Sequence, residues 1–103
     1  MLFRSSGDWV AAVYENEWYT GKVVEVDNDE SDTQVSFLKK TSTLPVSFKW
    51  PSPPDEIWEK FDSILCVIEE PSSRGRSNRH FQFNNQTIEM INSLLNGWLS
   101  ANH

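Results

Sequence analysis

The sequence is poor in the residues that catalysis and metal binding draw on. It has one cysteine, Cys66, so no internal disulfide forms and no second thiol helps to hold a metal. A reducing compartment and no structural zinc are therefore expected. Cys66 lies in the apolar run ILCVI, where a thiol is expected to fill a core. Of two histidines, His103 is terminal and His80 adjoins a polar stretch with no nucleophile spaced to partner it. There are four glycines and no glycine-rich phosphate loop. The acidic segment DNDESD over residues 27–32 faintly resembles a calcium loop, but lacks the glycine, the terminal glutamate and the flanking helices that such loops need. Neither an enzyme, a cofactor nor a metal site is expected.

Long hydrophobic runs are also missing. No stretch approaches the roughly 20 apolar residues of a membrane span, and MLFRSSGDWV has no apolar stretch of the kind a secretion signal carries. The expectation is a soluble, intracellular chain with no membrane partner. Basic charge is short as well, nine Lys and Arg against fifteen Asp and Glu. Residues 1–70 hold six basic and fourteen acidic residues, and residues 71–103 hold three Arg and one Glu. An acidic body repels a polyanion, which disfavours nucleic acid and favours a basic protein tail. Arg74, Arg76 and Arg79 form the one candidate nucleic-acid contact, within a polar stretch, SSRGRSNR, that otherwise reads as a mobile linker.

Aromatic rings are abundant: five Trp, six Phe and two Tyr in 103 residues. A core this small cannot easily absorb them all, so one or two are expected on a surface groove. Alternation over residues 7–26 predicts a hairpin turning at Glu15-Asn16-Glu17. Further strands are expected over residues 33–38, 44–50 and 63–68, with loops at 27–32 and 39–43. DEIWEKF, over residues 55–61, reads as one turn of 3₁₀ or α-helix. Residues 80–83 can add a short strand, and Asn84 or Asn85 can cap a helix over residues 86–96 that stops at Gly97. Ile88, Ile91, Leu94, Leu95 and Trp98 give that helix one apolar side, which either packs on the body or docks another chain.

These elements predict a mostly β fold, a small bent five-stranded antiparallel SH3-like barrel over residues 7–70. A linker follows at 71–79, and then a strand and helix over 80–99. Tyr14, Tyr19, Phe37 and either Phe48 or Trp50 come from consecutive strands near loop mouths. A cluster of such rings can hold a methylated ammonium group. Glu15 and Glu17 would meet the basic flanks of the peptide. The bland alternative for each ring is a place in the core.

The motifs GDWVAAVY, WYTGKV and VSF resemble the Tudor-type branch of SH3-like barrels, the Royal family. They are similar to its G-x-x-V-x-A-x-aromatic, aromatic-x-G/A-x-V and V-x-F/Y strands. The likeness runs over residues 7–37 and more loosely over 44–68. It implies a non-catalytic chromatin reader in the nucleus, binding methylated Lys or Arg on a histone-like tail. Tyr14, Tyr19 and Phe37 match the first three cage positions. The loop that supplies a fourth holds only Lys39, Lys40, Thr41, Ser42 and Thr43, so Phe48 or Trp50 would stand in. The alternative is an interaction or scaffold domain that recognises no methyl mark, monomeric or weakly dimeric through the C-terminal helix.

Overall fold

The computed structural model describes residues 6–43, 46–74 and 80–101. In chain order these form β1 (Trp9–Tyr14), β2 (Glu17–Asp27), β3 (Asp32–Phe37), β4 (Lys39–Thr43), β5 (Val46–Lys49) and β6 (Asp55–Lys60). A 3₁₀ turn (Phe61–Ser63), β7 (Ile64–Ile68), β8 (Ser72–Arg74), β9 (His80–Gln82) and the helix α1 (Asn85–Ala101) follow. The strands build a five-stranded sheet in the order β6-β3-β2-β1-β7 and a four-stranded sheet in the order β4-β5-β9-β8.

The β1–β2 hairpin turns where its sequence says. Tyr14 pairs with Glu17, and the two residues between them, Glu15 and Asn16, both take positive φ, 50° and 69°. That is the conformation whose twist matches a tight two-residue hairpin. The next loop is held by Asp27, whose Oδ1 accepts from the backbone N–H of Asp29 at 3.1 Å and of Glu30 at 3.2 Å. β2 bulges between Val23 and Glu25, and the Thr33 hydroxyl donates to the Glu25 carbonyl at 3.0 Å. A carbonyl beside an interrupted ladder thereby finds a partner.

β1 is buried on both sides because the five-stranded sheet has a core on each face. On one face Trp9, Ala11, Cys66 and Ile68 meet Phe48 of the second sheet and Ile91 of α1. On the other, Val10, Ala12, Val23, Val35 and Phe37 pack together, with Phe61 and Ile64 against them. Gly21 is required on this second side. A Cβ there would stand 2.5 Å from the Ser36 carbonyl oxygen and 2.6 Å from Val35 Cγ1.

Neither sheet closes into a barrel, which corrects the SH3-like expectation. β6 and β7 lie at opposite ends of the five-strand order. They are consecutive through the 3₁₀ turn, but no ladder joins them. The strand expected over residues 44–50 is absent from this sheet, since Val46–Lys49 pairs instead with β4 and β9 in the second one.

Three local expectations are corrected with it. Residues 39–43 are a strand rather than a loop: an all-polar strand has no apolar alternation to betray it, yet Thr41 and Ser47 share a hydroxyl hydrogen bond of 3.0 Å across β4 and β5. DEIWEK is a strand, not a helical turn. Ile57 pairs with Val35, and Lys60 reaches Asp32 at 2.9 Å on the last rung. Of the polar linker, residues 72–74 form β8, while 75–79, including Arg76 and Arg79, lie outside the described residues, as do Leu44 and Pro45.

The helix begins as expected. Asn84 Oδ1 accepts from the Thr87 N–H at 2.7 Å and leaves fewer orphan donors in the first turn. It runs through Gly97 to Ala101. One interior glycine costs about 1 kcal/mol, and the half-buried Trp98 and Leu99 beyond it keep the inward face in place. α1 packs on β7 and β2, with Ile91 fully buried.

Candidate functional site

Opposed residues of an antiparallel pair point to one face, so the register assigns the rings. Tyr14, Tyr19 and Phe37 share a face with Ile57, Asp55 and Glu59 of β6. Together with Ala12 and Val13 they line an open groove of about 360 Å³. Tyr14 is 58% exposed, whereas Phe37 is only 5% exposed and forms the groove's floor from within the core. The two tyrosine rings meet edge to face, with centroids 6.4 Å apart.

Carboxylates border these rings. The Tyr19 hydroxyl donates to Glu17 Oε2 at 3.2 Å. Burial first, then this hydrogen bond and the negative charges of Glu17 and Glu15, push the phenol above its ordinary value, so it stays a neutral donor. Burial likewise raises the Glu59 carboxyl at the groove wall. Asp55 lines this groove and also a second one of about 560 Å³. Tyr19 lines the second groove as well, with Trp18, Leu38, Lys39, Lys40, Phe48 and Leu95.

The remaining rings belong elsewhere. Phe48 is 3% exposed in the opposite core, against Trp18 at 6.2 Å and Phe83 at 5.4 Å. Trp50 meets Trp9 in a tilted contact at 5.7 Å and Phe81 edge to face at 5.9 Å, a cluster that ties the two sheets together. The five proposed cage rings thus lie on opposite sides of the five-stranded sheet, with Phe48 contributed by the second sheet, and only Tyr14 and Tyr19 stand open at the groove. This corrects the methyl-lysine assignment. Expectations of chromatin and the nucleus rested on the barrel resemblance alone and have no other support.

Glu15 and Glu17 are both exposed at the hairpin end beside the tyrosines. Arg74 is placed by its backbone in β8, but its side chain, with Arg76 and Arg79, is outside what is described. Sequence reasoning missed the contribution of Asp55, Ile57 and Glu59. Read as a strand, DEIWEK puts these three on one face, but its two apolar residues are adjacent and leave no alternation to mark it as one. Among the described residues no group of three or more His, Cys, Asp or Glu could hold a metal ion. Cys66 is buried, which raises its thiol and keeps it from acting as a thiolate. No helix of the described residues is long and apolar enough to cross a membrane. No protein-family model matches the chain, and neither a curated protein nor a solved structure does.

Proposed function

We propose that this protein is a non-catalytic protein-interaction domain whose docking surface is the Tyr14–Tyr19–Ile57 groove, and that it takes a basic segment of a partner protein. The observation that carries this reading is the combination of two exposed tyrosines and an exposed Ile57 with Asp55, Glu59 and Glu17 around them. Tyrosines of this kind offer apolar area with a polar tip at low entropic cost, and the surrounding carboxylates select positive charge and speed encounter. The chain's net charge of −6 acts in the same direction at longer range.

The test is a titration of the isotope-labelled chain with a capped peptide of alternating Lys and Leu, and with a counterpart carrying Glu for Lys. Expected are shifts at Tyr14, Tyr19 and Ile57 for the basic peptide, weakened by salt and lost in the Tyr14→Ser, Tyr19→Ser double variant. Equal binding of the acidic peptide, or binding undiminished in the double variant, would overturn the reading.

A further inference from the structure

β6 forms one side of the five-stranded sheet, and among the described residues no strand lies beyond it. Its register with β3 is unbroken, and on the rung just past the Lys60–Asp32 pair the Phe61 N–H donates to the Ser31 carbonyl at 2.9 Å. Bonded and non-bonded rungs alternate in an antiparallel ladder. Asp55, Ile57 and Glu59 therefore turn their N–H and C=O groups toward β3, and Glu56, Trp58 and Lys60 turn theirs outward. No backbone hydrogen bond among the described residues uses those outward groups.

An edge of this kind is a template for another strand unless it is blocked. The blocking charges here have one sign: Asp55, Glu56 and Glu59 carry no ion pair among the described residues, while Lys60 is engaged by Asp32 at 2.9 Å. Between them Ile57 is 44% exposed on the groove face and Trp58 is 46% exposed on the other. A second copy would set three acids against three, with only Lys60 of each copy, already engaged by Asp32, to offset them, and is disfavoured. A strand with basic residues around an apolar pair is attracted, and finds apolar contact on both faces.

We propose that β6 accepts an extended basic segment of a partner protein as an added strand, bonded through the outward backbone groups of Glu56, Trp58 and Lys60. This rests on the groove reading above and names how the partner is held. Side chains of the added strand alternate between faces. Those on the groove face lie beside Asp55, Ile57 and Glu59, and those on the reverse lie beside Glu56 and Trp58.

The probe is the capped peptide Lys-Arg-Val-Val-Lys, with two analogues N-methylated at one or the other alternate set of residues. Expected on binding is at least about tenfold slower amide hydrogen exchange at Glu56 and Trp58, the protection that a new ladder gives. One N-methyl analogue should lose at least about tenfold in affinity and the other should not, because only alternate residues of a strand bond to a given neighbour. Glu56→Pro removes one outward N–H and leaves the β3 ladder intact, as proline at an open edge can; it should weaken binding similarly, while Glu56→Gln keeps the amide protection. Should Glu56→Pro fail to fold, the pair of methylated peptides decides alone. A peptide that shifts Tyr14 and Tyr19, tolerates both methylation patterns and leaves Glu56 and Trp58 exchange unchanged overturns the added strand and spares the groove. Absence of binding by every peptide overturns both readings. Protection of those amides that grows with protein concentration alone, with a doubled mass, overturns the proposal in favour of a second copy.

Discussion

The indole N–H of Trp18 donates to Asn92 Oδ1 at 2.8 Å, joining β2 to α1 across 74 positions of sequence. Lys40 Nζ lies 5.4 Å from the centroid of the same ring, and Phe48 packs against it. One tryptophan thus connects both sheets and the helix. Replacing Asn92 by Leu leaves the indole N–H without its acceptor, and should lower stability by about 1 kcal/mol. Urea unfolding followed by circular dichroism checks this, with an unchanged m-value expected if only the tie is lost.

Two glycines should respond in opposite senses to the same substitution. Gly21→Ala drives a methyl against the Ser36 carbonyl and Val35, backbone and packed core that cannot give way cheaply. A loss of about 2–4 kcal/mol is expected. Gly97 sits inside α1, and a methyl group there would meet no atom within 4 Å, so Gly97→Ala should gain about 1 kcal/mol. Thermal unfolding of the pair measures both.

Thr20 Oγ1 is buried without a hydrogen-bond partner among the described residues. Valine has the same shape and no hydroxyl to desolvate. Thr20→Val should stabilise the protein by about 1 kcal/mol, read as a higher denaturation midpoint.

Glu59 supplies a pH-dependent prediction. Burial raises its folded-state value above the unfolded one, so its favourable contribution is complete below the unfolded value and is lost as pH rises through the folded one. Glu59→Gln should therefore raise Tm near neutral pH by about 1–2 °C, discounted for the carboxyl's partial exposure. The gain should vanish in acid. Parallel melting curves across this range test the sign.

Legibility in the sequence followed apolar alternation. β1, β2 and β3 carry it, β7 shows instead as a continuous apolar run, and the helix shows by its three- and four-residue spacing, with its start marked by the residue type of Asn84 or Asn85. β4 is all polar, so its pairing with β5 leaves no hydrophobic trace, and the second sheet could not be seen. In β6 the spacing of Ile57, Trp58 and Phe61 suits a helical turn as well as a strand, and only the pairing partner distinguishes them. Tyr14 adjoins the hairpin turn and Tyr19 lies two rungs further in, so both stand near one end of the sheet. Phe48 and Trp50 were not separable from them, because which face a ring meets depends on which sheet its strand joins.

With distinct cores on its two sides, β1 has no spare frame. A slip of one residue would carry the Trp9 indole toward the space that Gly21 keeps clear, and leave Val10 to fill the place of a ring that bridges two sheets. The Glu15–Asn16 connection therefore acts as a ruler. An added residue there would misalign both interiors at once, however readily a surface loop of that kind accepts insertions elsewhere.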